Sequence, residues 1–216
     1  MILHYTQYSI FARKVMVLAW ERDLASRIQL SICNVGTHIP LESCEHLRLS
    51  AFNPLMKIPT LITDEGDALF DSRVICEYLD SLHQGPPMFP IVRKNRWSSL
   101  RAQALADGAM DAALLVRFEN ARSEANRWNL CMDLQKRRIF QALDELNRLA
   151  DELNTDPTIG EISVACLLAY LDFRFNVFDW RLGRTPLSDW FEPFSRRASM
   201  LATRPDAEWL DPTRPQ

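Results

Sequence analysis

Apolar and polar residues repeat along the chain with two different periods, and the change from one to the other marks its architecture. Ile2 to Tyr5 is a short β-prone run. From Phe11 to Arg22 the period is helical: Phe11, Val15, Leu18 and Ala19 recur at spacings that share one face. Arg27 to Val35 alternates, which places Ile28, Leu30 and Ile32 on one side of a strand and Gln29, Ser31 and Cys33 on the other. Strand, helix and strand in one sheet predict a parallel pair with a right-handed crossover. Thr37 to Phe52 is polar and mixed, an irregular helix at most. Thr60 to Thr63 reads as a strand, Asp64-Glu-Gly-Asp67 as a turn, and Ala68 to Phe70 as a returning strand. Asp71 or Ser72 can cap the next helix, whose Ile75, Tyr78, Leu79 and Leu82 form a narrow apolar stripe.

The segment Gln84-Gly-Pro-Pro-Met-Phe-Pro90 breaks all periodicity and is the expected domain boundary. Beyond it the pattern is helical throughout, over Lys94–Arg122, Leu130–Leu153, Glu161–Phe178 and Leu187–Thr203. The third of these is apolar nearly all round from Ile162 to Leu171, which predicts the centre of its domain. Thr158-x-x-Glu161 at its start is a capping-box pattern.

Composition narrows the function classes. A chain of 216 residues fits one large or two small domains. Net charge is −3 and basic residues are scattered, so no nucleic-acid face is expected. The five cysteines are odd in number, widely spaced and without a C-x-x-C pair. That usage suits free thiols in a reducing compartment, and a cytoplasmic location is expected. Met1 to Ser9 is too short and too polar a run before the amphipathic pattern begins, so no signal peptide is expected. No apolar run reaches the ~20 residues that cross a bilayer, so no membrane partner is expected.

Common catalytic motifs are missing: no Gly-rich phosphate loop, H-E-x-x-H, G-x-S-x-G or paired zinc ligands. His4, His38, His46 and His83 are dispersed, so no metal is expected. Three loop positions remain. Ser9, between the first strand and first helix, sits where helix amides and partial positive charge favour an anion. Its hydroxyl can cap the helix or donate to that anion. Pro59, just before a strand, can be trans or cis, and a cis turn would expose the Ile58 backbone to a peptide-like ligand. Asp71-Ser72 can cap a helix, pair with an ammonium, or hold a carboxylate.

Four segments carry a family resemblance. Ser9-Ile-Phe-Ala-Arg-Lys-Val15 resembles S-P-F/Y-x-R-K-V; Asn53-Pro-Leu-Met-Lys-Ile-Pro-Thr-Leu61 resembles N-P-x-G-K-V-P-x-L. Leu69-Phe-Asp-Ser-Arg-Val-Ile-Cys-Glu-Tyr-Leu79 resembles L-x-E/D-S-x-x-I-x-x-Y-L, and Thr158-Ile-Gly-Glu-Ile-Ser-Val-Ala165 resembles S/T-x-A-D-I-x-x-A. In this order they resemble the glutathione S-transferase superfamily, in particular its bacterial serine-type members. The resemblance implies a thioredoxin-like α/β N-terminal domain (βαβ-ββα) over residues 1–83, a linker over 84–90 and an all-α helical C-terminal domain over 91–216. It implies a homodimeric, detoxifying transferase that joins glutathione, as co-substrate, to a small hydrophobic electrophile. Ser9 then matches the hydroxyl on the glutathione sulfur. Ile58 matches the backbone partner of the cysteinyl part, with Pro59 as the cis-proline. Asp71 and Ser72 match the pair that holds the γ-glutamyl end, and Lys57 a contact to the glycyl carboxylate. Tyr5 and Tyr8 stay open as competing sulfur ligands, and Arg117, Phe118 and Trp180 as lining of the second pocket. Three positions depart from the family pattern: Ile10 replaces Pro, Met56 replaces Gly, and Asp71 replaces the commoner Glu. Two other functions share the fold: a glutathione-dependent peroxidase or reductase, and a non-catalytic binding or regulatory protein.

Overall fold

The computed structural model describes residues 1–36, 39–175 and 178–205; His38 and the expected helical positions at Thr37 and at 176–177 lie outside the described residues. The described residues divide into two compact units, Met1–Pro87 together with residues 197–205, and Met88–Arg196; the expected C-terminal domain's residues 206–216 lie outside the described residues.

The first unit holds β1 (Ile2–Tyr5), α1 (Ile10–Glu21), β2 (Gln29–Ile32), α2 (Cys44–Ser50), β3 (Thr60–Ile62), β4 (Ala68–Leu69) and α3 (Ser72–Asp80). The strands form one mixed sheet in the order β2-β1-β3-β4. β1 runs parallel to β2, pairing Leu3 with Leu30, and antiparallel to β3, pairing His4 with Thr60. β4 returns antiparallel to β3 with Leu61 opposite Leu69. Leu3 and Tyr5 are buried on one face of β1, and His4 points to the other, stacked on Phe52 just past α2. α1 packs on α3 and buries Val15, Leu18 and Ala19 completely.

The expected alternation in β2 holds only in part. Ile28 is buried, but Ile32 is 61% exposed. β2 is an edge strand, and a strand end there has no neighbour to cover it.

The second unit is helical: α4 (Arg93–Asn120), α5 (Asn129–Arg148), α6 (Ile159–Arg174) and α7 (Thr185–Phe194), with short 3-10 turns between them. α4 packs against both α5 and α6. α6 is the enclosed helix, with Ile162, Val164, Leu167 and Leu168 all at 0% exposure. Its start is tightly fixed. The Thr158 hydroxyl accepts from the Gly160 amide at 3.2 Å, and the Glu161 carboxylate accepts from the Thr158 amide at 2.8 Å. Gly160 lies so close to α4 that a Cβ there would meet the Ser99 carbonyl oxygen at 2.8 Å.

The single helix expected over 187–203 is two. α7 ends at Phe194, Arg197 is extended (φ −60°, ψ 146°), and α8 (Ala198–Ala202) follows. Pro193 removes an amide donor from the last turn of α7. After the break the chain rejoins the first unit, where α8 packs on α1. Arg197 forks onto Glu21 at 2.8 and 2.6 Å, and Ser199 donates to the same carboxylate at 2.5 Å. Buried Arg13 donates to the Met200 carbonyl at 3.0 Å. The last described helix therefore groups with the first unit, whereas the sequence pattern places it with the helices before it.

Candidate functional site

Strand direction brings three loops to one end of the sheet. β1 leaves its C-terminal end toward Ser9; β3, antiparallel to it, enters at that same end after Pro59; β4, antiparallel again, leaves there toward Asp71. From β1 across β3 to β4 is two strand spacings, about 10 Å. Three extended residues span about 10 Å as well, so a tripeptide lying across the strand ends could touch all three loops.

At the first loop Ser9 is the N-cap of α1, and its Oγ accepts from the Ala12 amide at 3.2 Å. A serine hydroxyl that accepts still keeps one proton to donate, so the capping and donating readings coexist. Among the described residues, the amides of Ile10 and Phe11 have no acceptor. Ile10, where the family pattern has Pro, thus contributes an extra free donor at the positive end of the helix.

At the second loop the Ile58–Pro59 peptide bond is cis. Neither the amide nor the carbonyl of Ile58 is engaged by another described residue. At the third loop Asp71 is the N-cap of α3 and accepts from the Arg73 amide at 2.9 Å. Ser72, 3% exposed, opens the helix, and its amide has no acceptor among the described residues. The Phe70–Asp71 peptide bond is also cis, which nothing in the sequence signals. Two helix N-termini thus flank one free backbone edge, an arrangement that can take an extended peptide with anionic ends.

Comparison with known proteins shows the family. The family model described as the glutathione S-transferase N-terminal domain matches residues 8–82, and the one described as the C-terminal domain matches residues 104–192. The chain belongs to the glutathione S-transferase superfamily. It is 37% identical over 163 residues to the uncharacterized GST-like protein YibF of Escherichia coli K12, covering 73% of this chain and 79% of that protein. A glutathione transferase family member from Pseudomonas fluorescens Pf-5, solved with bound glutathione, is 41% identical; it covers 95% of this chain and 99% of that one, with a TM-score of 0.90. A second structure from that organism, with bound S-(propanoic acid)-glutathione, covers 96% and 100% at 41% identity and a TM-score of 0.85. The first unit is accordingly thioredoxin-like, and the second is the helical domain of the superfamily.

Within this glutathione S-transferase fold the remaining sequence candidates fall into different places. Lys57 is exposed beside Ile58. Tyr8 is about half exposed, whereas Tyr5 is buried in β1, where burial pushes its phenol pKa up. Met56 stands where the superfamily pattern has Gly and keeps a left-handed backbone, φ 50°, a conformation that costs a non-glycine residue about 1–2 kcal/mol. Trp180 does not line an open pocket: it is 1% exposed, and its indole N–H donates to Asp172 at 2.7 Å. Among the described residues no cluster of His, Cys, Asp and Glu could hold a metal ion, and no described helix is long and apolar enough to cross a membrane.

Asn53 carries a role that the sequence did not reveal. Its Nδ2 donates to the Lys57 carbonyl at 3.0 Å and to Thr60 Oγ1 at 2.9 Å, and its Oδ1 accepts from the Leu55 amide at 2.9 Å. Thr60 Oγ1 donates in turn to the Lys57 carbonyl at 2.8 Å. This buried network ties down both sides of Ile58. Its signals in the sequence are an Asn seven residues before a strand Thr, across a Pro-containing turn, and the match of Asn53 to the family pattern.

Proposed function

We propose that this chain is a glutathione transferase in which Ser9 stabilises the glutathione thiolate for attack on small hydrophobic electrophiles. The supporting observation is the donor set at the start of α1: a capping serine with its proton to spare beside two free amides. A free thiol has pKa near 8.5 and is mostly protonated at neutral pH. Donors and a helix N-terminus favour the charged form, and a shift of ~2 units corresponds to about 2.7 kcal/mol. The thiolate lone pair forms the C–S bond, and with an aryl halide the halide leaves with its bonding pair. In this reading Ile58 pairs with the cysteinyl backbone, Pro59 shapes that turn, Asp71 and Ser72 take the γ-glutamyl end, and Lys57 the glycyl carboxylate. The helices of the second unit supply the electrophile pocket. The bound S-(propanoic acid)-glutathione of the P. fluorescens relative has the form of a conjugation product, which favours transfer over thiol–disulfide exchange. Serine at position 9 points the same way, because it cannot form a mixed disulfide.

We read the chain as a cytoplasmic homodimer on the habit of the superfamily and on its free cysteines. The test is glutathione titration followed by assays with chlorodinitrobenzene and with an organic hydroperoxide. The proposal expects saturable binding and turnover of the aryl halide. Binding without turnover of either probe would leave a non-catalytic ligand-binding protein, and turnover of the hydroperoxide alone a peroxidase.

A further inference from the structure

The second unit contains a group of donors that thiol activation does not use. Tyr170, on α6, is 3% exposed, yet its hydroxyl has no hydrogen-bond partner among the described residues. Leaving a buried polar group unsatisfied is costly, and such a group in a native protein calls for an explanation, a bound ligand or water among them. Positive charge lies beside it. Arg174 follows one turn later on α6, and Arg117 approaches from the last turns of α4, which packs along α6. Burial pushes the phenol pKa up, while the guanidiniums of Arg117 and Arg174 pull it partly back. The hydroxyl is therefore neutral at physiological pH, with its proton available.

Aromatic rings lie next to it. Phe175 lies 6.1 Å from Tyr170, ring to ring, and Phe178 stacks on Phe175 at 5.4 Å. Arg174 rests over the Phe173 ring at 4.2 Å, which helps fix its position. Arg117 is half-buried and near enough to act on the hydroxyl without forming a bond of good geometry. The group therefore offers the phenol proton of Tyr170 and the positive charge of Arg117 beside aromatic rings. A ligand that completes it needs acceptor oxygens, negative charge and a flat apolar body.

We propose that Arg117 and Tyr170, with Arg174 behind them, bind the carboxylate of an aromatic or unsaturated acid, so that the second substrate is an electrophile bearing a carboxylate. This rests on the reading that the second unit receives the electrophile. The test uses the full chain and two probes that differ only in charge: para-chloro-meta-nitrobenzoate and its neutral carboxamide. Calorimetric titration should show the benzoate binding at least about tenfold more tightly, since hydrogen bonds to charged groups are the strong ones. Tyr170→Phe removes only an unpartnered hydroxyl and should fold normally. Both it and Arg117→Gln should bring the preference for the benzoate to within about threefold. Equal affinities in the wild type, or a preference that both variants retain, would overturn the proposal. Turnover with glutathione is measured alongside. Loss of the charge preference strikes the carboxylate site alone, whereas an intact preference with no turnover of either probe strikes the conjugation reading.

Discussion

Replacing Asn53 by alanine should loosen the turn that presents Ile58. The substitution deletes three hydrogen bonds, to the Lys57 carbonyl, Thr60 Oγ1 and the Leu55 amide. At a net 0.5–1.5 kcal/mol each they sum to about 1.5–4.5 kcal/mol. Two of the stranded groups find relief. The Lys57 carbonyl keeps the Thr60 hydroxyl, and Leu55 is exposed, so water can reach its amide. The expected loss is therefore about 2–3 kcal/mol, against a total stability of about 5–15 kcal/mol that leaves the chain folded. Urea unfolding should show a lower midpoint at an unchanged slope. Glutathione should bind more weakly to the folded variant, because the free Ile58 edge is no longer held in place. Thr60→Val combined with Asn53→Ala should be sub-additive, with a coupling of about 1 kcal/mol. A stability loss below about 0.5 kcal/mol, or strict additivity, would refute the network as the device that positions Ile58.

Three further outcomes are expected. Thr158→Ala should cost about 1 kcal/mol by urea unfolding, with Thr158→Ser recovering most of it, because the cap of α6 needs only the hydroxyl. Met56→Gly should raise stability by up to about 1 kcal/mol through relief of the left-handed backbone; a loss of stability would show that the Met side chain contributes more than the backbone costs. Glu21→Gln should flatten the acid limb of the stability profile. Burial alone would raise the Glu21 pKa, but hydrogen bonds from Arg197 and Ser199 and the charges of Arg197 and Arg22 together outweigh it, and the net shift is downward. A depressed carboxylate pKa stabilises the fold fully above its unfolded value of 4.5, and that stability is lost as pH falls through the folded value. The difference between wild type and Glu21→Gln should accordingly shrink below about pH 4.5 and be constant above it.

Much of the architecture is legible because it depends on local period. The helical stripe of α1, the apolar run of α6 and the Asp-Glu-Gly-Asp turn between β3 and β4 each declare themselves within a few residues. The three candidate loops sit at junctions between elements, and the sequence assigns them a ligand only through the family resemblance. Features that depend on distant partners were hidden. Whether Ile32 is covered depends on the edge position of β2, which alternation does not encode. The end of α7 is marked locally by Pro193, but the packing of α8 on α1 involves Arg197 meeting Glu21, 176 residues earlier. The bare hydroxyl of Tyr170 is visible only once α4 and α6 are packed, since the sequence shows merely a Tyr in a greasy helix.

The most direct measurement of the central claim is the thiol pKa of glutathione bound to wild-type protein and to Ser9→Ala, read from the ultraviolet absorbance of the thiolate as pH is varied. In the wild type the bound thiol should ionise about 2 units below the free value near 8.5, and Ser9→Ala should restore about 1–2 units of that shift. Ser9→Thr should behave as wild type. Identical thiol ionisation in wild type and Ser9→Ala, with glutathione bound equally well to both, would contradict a sulfur held by this hydroxyl.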